Sequence, residues 1–207
     1  MAEKRNSPFV WVTWLSKLMS GEISCEWAPW FRSHYQAYDK APSDFDLATW
    51  NIRHTRLLRE IRLQRQQAGD EVLVEGQAQF YYERPNSGLV LSGKPDLVSF
   101  SGNTLTVHDA KTGQPRASDQ IQVMIYMYCL PIARPEFASR TLAGQVVYES
   151  RSVGIPPSAV GSDFEKDFNY FLDVLESDTH PHKAPSENEC RFCDIGPLSC
   201  PERVTAP

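Results

Sequence analysis

The sequence predicts an α/β fold, in the order helix, three strands in a meander, helix, strand, with a further helix after them. Three observations carry that expectation. A charged stretch over 47–67 follows candidate caps Asp44 and Asp46 and stops at Gly69-Asp70. Strand-like runs over 71–83, 89–100 and 105–110 are separated by Asn86-Ser87-Gly88 and Ser101-Gly102-Asn103, which have turn chemistry. An apolar run over 118–130 is too long for one strand and reads as a helix.

Taken in order, Phe9, Trp11, Leu15, Leu18 and Met19 recur at roughly helical spacing and suggest a helix within the first twenty residues. Residues 23–38 are rich in aromatics and hold Cys25 near their start. The long helix and the meander follow. Pro131 and Pro135 are expected to interrupt the chain after the second helix, before a strand at 142–148. Ser162 or Asp163 starts a last helix running to about 175, and residues 180–207 read as an irregular, cysteine-rich tail.

The chain has 207 residues, 41% of them hydrophobic, with five Trp, ten Phe and eight Tyr, enough for a sizeable core. No stretch reaches the ~20 apolar residues needed to span a bilayer, and the apolar run at 9–12 is too short for a signal-peptide core. The expected location is therefore cytoplasmic, with no membrane partner. Five cysteines without an export signal favour metal ligands or core residues over disulfides. A net charge of −5 argues against a surface coated with basic residues but leaves room for a local basic groove.

Asp96 lies five positions before Ser101, and Asp109 lies six after Asn103. In a hairpin closed at 101–103 the two carboxylates fall near the same end. Side chains alternate along a strand, so Asp109 and Lys111 share a face while Ala110 points away. Two carboxylates are hard oxygen donors suited to Mg2+ or Mn2+. Such an ion polarises a phosphate and acidifies a bound water, and the Lys111 ammonium can orient that water or offset developing charge. Standing alone, the Asp-x-Lys pattern reads equally as a surface ion pair worth ~0–1 kcal/mol.

Cys190-x2-Cys193-x6-Cys200 forms a second cluster, and Cys25 is the obvious fourth ligand, because Cys129 falls inside the apolar helix as a small core residue. Four thiolates suit zinc or a [4Fe–4S] cluster, and His180 or His182 can replace a cysteine in a zinc site. Five arginines recur every third residue from Arg53 to Arg65; they wind around the helix, and either a subset tracks a phosphate backbone or they form a solvated surface.

Gly93-x-x-Asp96, Asp109-x-Lys111-Thr112-Gly113 and Gln122-x-x-x-Tyr126 succeed one another along residues 93–126, with Gln120 as an alternative register for the last. In this the chain resembles the PD-(D/E)XK nuclease superfamily, and within it the RecB-like nucleases. The resemblance implies a restriction-endonuclease-like core over 45–177. It implies Asp96, Asp109 and the carbonyl of Ala110 as metal ligands, with His54 (or its rival Glu60) contributed by the preceding helix. It implies Lys111 as the catalytic lysine, with Gln122 and Tyr126 supporting the site or contacting DNA.

One N-terminal cysteine and a C-terminal Cys-x2-Cys-x6-Cys resemble the iron–sulfur members: the CRISPR-associated RecB-like exonucleases and, as second choice, the AddB-type nuclease domain, which belongs to far larger chains. That likeness implies a [4Fe–4S] cluster on Cys25, Cys190, Cys193 and Cys200, joining segments 1–44 and 178–207. It also implies Mg2+ or Mn2+ at the carboxylates and a DNA substrate, single-stranded or with free ends. A role beside the CRISPR integrase in trimming spacer precursors would follow. Two other readings are a nuclease of recombination or phage replication and a non-catalytic, cluster-containing DNA-binding adaptor; the intact Asp96, Asp109 and Lys111 count against the adaptor.

Overall fold

The computed structural model describes residues 2–74 and 76–204. Short strands β1 (Glu3–Lys4) and β2 (Phe9–Trp11) open the chain, followed by helices α1 (Val12–Met19) and α2 (Trp27–His34) and the short strand β3 (Tyr35–Gln36). The expected first helix therefore begins only at Val12. Phe9 and Trp11 lie in β2, which runs parallel to a later strand. In helix α2, Trp27, Trp30 and Phe31 fall at i, i+3 and i+4 and are buried, while Arg32 is half-buried.

Helix α3 (Leu47–Gln67) starts at Asp46, whose carboxylate accepts the Thr49 N–H at 3.0 Å; this leaves Asp44 outside the cap. The expected strand at 71–83 is two strands, β4 (Glu71–Val74) and β5 (Phe80–Glu83). Between them Gly76 has a φ of 87°, a left-handed conformation that glycine adopts without steric cost. The expected strand at 89–100 also divides, into β6 (Val90–Gly93) and β7 (Leu97–Ser101). Pro95 has no N–H to continue a ladder, so pairing stops there. Strand β8 (Thr104–Lys111) returns from the turn at Gly102, with Leu97 opposite His108.

Helix α4 (Ala117–Ala133) carries Pro131 within its last turn, so the interruption expected there comes only at Arg134 and Pro135. Strand β9 (Thr141–Tyr148) is followed by β10 (Ser152–Ile155), which the sequence reading did not anticipate, and by helices α5 (Ser162–Glu176) and α6 (Glu187–Arg191).

The strands form a five-stranded mixed sheet in the order β10-β9-β8-β7-β4, with β8 and β9 parallel. A second, three-stranded sheet has the order β2-β6-β5, and β1 pairs with β3. Helix α3 packs one face of the larger sheet, where Leu57 and Ile61, one helical turn apart, meet Leu97 and Ala110. Helix α4 packs against β8 and β9. One continuous core runs from Val10 and Leu15 through Val107, Val123 and Phe168 to Ile195, and so joins both ends of the chain to the central sheet. Residues 94–96 carry the chain from one sheet to the other. At Gly93 an added Cβ would lie 2.2 Å from Phe80 Cζ, so only glycine lets the Phe80 ring close over that crossing.

Candidate active site

Strand β8 outruns its antiparallel partner by three residues, because the β7 ladder ends at the Leu97–His108 pair. Continuing that register one step sets Asp96 across from Asp109. The Ala110 N–H, left without a strand partner on that edge, is accepted by Asp96 Oδ2 at 2.8 Å. A residue's N–H and C=O lie on the same edge of a strand, so the Ala110 carbonyl also faces Asp96. The Ala110 methyl group packs beneath α3 with Leu57 and Ile61, while Asp109 and Lys111 occupy the opposite face. His54 reaches down from α3, with Nε2 3.3 Å from Asp96 Oδ2, and Trp50 lies flat against its ring at 4.6 Å and 18°. Glu60 is elsewhere, exposed on α3 and 3.9 Å from Arg56.

Gln122 organises the other side. Its Nε2 donates to Asp109 Oδ1 at 3.0 Å and to the Tyr126 hydroxyl at 2.9 Å, and its Oε1 accepts from Lys111 Nζ at 3.0 Å. The Tyr126 hydroxyl donates onward to the Lys94 carbonyl. Lys111 Nζ also lies 2.7 Å from Asp109 Oδ2. Gln122 and Tyr126 are one turn apart on α4 and both buried, and this network provides the partners that buried polar groups need.

These contacts set the charges. Burial pushes the Asp109 carboxyl up to about 6, against the pull of the Lys111 ammonium. Burial also opposes the Lys111 charge, but Asp109 outweighs it and the Lys111 pKa is raised. The hydrogen bond to Asp96 raises the His54 pKa. Tyr126 is raised well above its usual range by burial and remains a neutral donor.

Two polar atoms in this cavity of about 470 Å3 are buried without a hydrogen-bond partner: Asp109 Oδ2 and Ser92 Oγ. Asp109 Oδ2 is instead balanced by the Lys111 ammonium at 2.7 Å, which pulls the carboxyl pKa down against burial. An anionic oxygen left so, beside a second carboxylate, fits a hard divalent cation. Among the described residues, however, no group of three or more His, Cys, Asp or Glu side chains is already arranged to hold a metal ion. With Lys111 Nζ against Asp109, a cation entering there must displace the ammonium.

Among the described residues the cysteines are not gathered into a metal-binding group either. Cys129 is fully buried in the core of α4. Cys25, Cys190, Cys193 and Cys200 are unpaired and line a single cavity of about 480 Å3. Glu189 accepts the backbone N–H of Ser24 at 2.6 Å and of Cys25 at 3.5 Å, tying the N-terminal segment to α6. Arg203 donates to the carbonyls of Cys190, Cys193 and Ile195. Burial raises the thiol pKa of Cys193 and Cys200. The arginine run on α3 is partly engaged inside the fold: Arg53 and Arg56 grip Glu149, Arg53 also donates to the Thr112 carbonyl, and Arg65 pairs with Asp70. Two features lie outside the sequence motifs: Trp50, at helical spacing i−4 to His54, and the contact of Arg53 with Glu149, 96 residues apart and without local signal.

No curated protein matches the chain. The crystal structure of SSO0001 is similar over 98% of this chain and 90% of its own, with a TM-score of 0.55 and 15% sequence identity, a likeness of fold. No helix among the described residues is long and apolar enough to cross a membrane. The profile of the PD-(D/E)XK nuclease superfamily matches residues 15–198. With that match spanning most of its length, the chain belongs to the PD-(D/E)XK nuclease superfamily.

Proposed function

We propose that the protein is a Mg2+- or Mn2+-dependent deoxyribonuclease acting on DNA that is single-stranded or has free ends. The observation that carries this reading is the buried Asp109 carboxylate, its Oδ2 balanced only by the Lys111 ammonium at 2.7 Å, in the lining of a cavity shared with Asp96. Asp96, Asp109 and the Ala110 carbonyl would hold the cation, with His54 as a further ligand. A cation bound there supplies Lewis acidity toward the scissile phosphate and acidifies the attacking water.

The chain's own groups do the rest. Water oxygen bonds to phosphorus as the P–O ester bond breaks, and the departing oxygen takes a proton. Lys111 Nζ, aimed by Gln122 Oε1, orients the water and offsets the charge that grows on the phosphate oxygens. Gln122, fixed by Tyr126, keeps Asp109 Oδ1 occupied so that Oδ2 is the oxygen presented. Cleavage of a labelled oligonucleotide with Mn2+ tests the reading: Asp109→Ala should lose at least about 100-fold in rate, the scale at which single charge-stabilising groups act. Equal cleavage by the variant overturns the assignment.

The cysteine centre is part of the same proposal. Cys25, Cys190, Cys193 and Cys200 would hold a [4Fe–4S] cluster with a structural role, fastening segments 1–44 and 178–207 to the nuclease core. Their shared cavity and the likeness of their spacing to iron–sulfur nucleases support it. Brown, anaerobically purified protein with absorbance near ~400 nm and matching iron and sulfide is expected of thiolate-ligated iron; colourless protein carrying zinc rejects it. Trimming of spacer precursors beside the CRISPR integrase rests on that same spacing, and co-purification with an integrase on a spacer-length duplex tests it.

A further inference from the structure

The cavity that holds the carboxylates does not end at them. It shares Thr13, Trp50, Lys111, Thr112, Gly113 and Gln122 with a neighbouring cavity of about 680 Å3, so the two form one groove past the site. The walls of the second cavity differ in chemistry. One carries rings: Phe45, 62% exposed, and Trp50, 37% exposed, with centroids 6.3 Å apart. His54 stacks on Trp50 at 4.6 Å, and Phe45 is tilted 55° to the same ring. The wall opposite comes from α1 and the start of α4, with Thr13, Ser16, Lys17 and Arg116.

Most acids lining this groove are engaged within the fold. Asp46 caps α3. Asp119 accepts from the Arg116 N–H at 3.0 Å and from the Tyr148 hydroxyl at 2.9 Å. Glu22, beside the groove, accepts the Ser118 N–H at 3.1 Å and sits 3.6 Å from Arg116. Asp44 is the exception and remains exposed. Lys17 is exposed, although partial desolvation and the nearby Arg32 and Arg116 lower its pKa, so an anion drawn there meets a cluster of cations. The groove thus has an aromatic side and, facing it, a cation available for an external anion.

We propose that this groove is the binding track of one unpaired DNA strand, with a base stacked on Trp50 and flanked by Phe45, and with Lys17 on the backbone. The inference rests on the nuclease reading and deepens it by assigning the residues that select single strands. Aromatic platforms beside a basic wall suit unpaired bases, whose faces are free; in a duplex those faces are covered by neighbouring pairs. Because Trp50 also stacks on His54, a base on Trp50 is placed one ring away from the carboxylate site.

Binding of a fluorescein-labelled oligo(dT) strand is measured by anisotropy in EDTA, where no cleavage occurs, with a blunt duplex and an abasic strand as comparators. Trp50→Ala should weaken oligo(dT) binding by about fivefold or more, on the scale of one base–aromatic stack, and leave abasic and duplex binding unchanged. Lys17→Glu should weaken binding of both single strands and flatten the salt dependence by about one phosphate contact, ~0.7 in log–log slope. Melting curves confirm that both variants are folded. Wild-type affinity for both variants, or equal wild-type affinity for duplex and single strand, overturns the groove assignment. Wild-type cleavage with Mn2+ is followed in parallel: Trp50-dependent binding without any cleavage would uphold the groove and remove the nuclease reading.

Discussion

Binding of a divalent cation at the carboxylate pair should release protons, and the amount follows from the environment of Asp109. Its carboxyl is raised to about 6 by burial, so in the metal-free protein it keeps a proton well above the usual carboxylate range. A raised carboxyl pKa means the proton is bound below about pH 6 and lost above it, and a cation that needs the anion competes with that proton. Competition weakens apparent affinity by 1 + 10^(pKa − pH): about 1.03 at pH 7.5, about 4 at pH 5.5 and about 11 at pH 5.0 for a pKa near 6. An ordinary aspartate would change affinity by only about 8% over that range. His54 titrates in the same direction, because its hydrogen bond to Asp96 raises its pKa and ligation needs the neutral ring. Mn2+ affinity should therefore fall at least about 10-fold from pH 7.5 to 5.0, with a slope approaching two protons per ion at the acid end. Calorimetric titration with Mn2+ in two buffers of different ionisation enthalpy reads the proton count directly. His54→Gln should lower that count by nearly one. An affinity constant within twofold across the range, with no proton release, would refute both the ligand assignment and the electrostatics behind it.

Gly93→Ala should lower the melting temperature, because the new Cβ meets the Phe80 ring at 2.2 Å and overpacking of this kind costs ~1–3 kcal/mol; Phe80 lies edge-on to Tyr126, so the nuclease rate should fall as well. His108 is buried between Ser99 Oγ and Gln145 Oε1 at 2.9 Å each, and burial lowers its pKa to about 4. A lowered histidine pKa gives stability that is complete above the unfolded value and lost as pH falls toward the folded one; about 2–3 kcal/mol should therefore disappear between pH 7 and 4.5, read by urea unfolding. His108→Gln should remove most of that pH dependence. Gln122→Ala should reduce the cleavage rate about 10-fold or more by freeing Lys111 and Asp109 together, whereas Tyr126→Phe, which removes one hydrogen bond to the same amide, should cost less in the same assay.

What was legible in the sequence was what depends on local period and order. The alternation Asp109-Ala110-Lys111 dictates which side chains share a face, and the i, i+4 spacing of Gln122 and Tyr126 puts both on one face of α4, where they bond each other. The boundaries of α3 followed from a cap and a glycine. The strand divisions lie at Glu75-Gly76-Gln77 and Gly93-Lys94-Pro95-Asp96, breaks visible in the sequence; what no local pattern shows is that each break carries the chain to a different sheet. Helix α2 has the helical spacing of Trp27, Trp30 and Phe31, but at eight residues it is too short for that period to stand out from an aromatic-rich stretch. The Arg53–Glu149 contact, spanning α3 and the end of β9, is invisible to any local pattern.

That missed division has a functional meaning. If 89–100 were one uninterrupted strand, Asp96 would be mid-ladder with its backbone paired to β8, and its side chain would project from the pleat opposite Asp109. Pro95 instead ends the ladder at Leu97, which leaves the Ala110 N–H unpaired and lets the Asp96 carboxylate turn inward to accept it. One carboxylate oxygen of Asp96 is thereby fixed by backbone, as one of Asp109 is fixed by Gln122. Asp96 Oδ2 is thus held by the Ala110 N–H and His54, and Asp109 is held by Gln122 on one oxygen and by the Lys111 ammonium on the other. Rigid donors of that kind select a cation by geometry as well as by charge. The sequence Pro95-Asp96 is in this sense a single device, in which the proline breaks the sheet at the residue where the carboxylate must leave it.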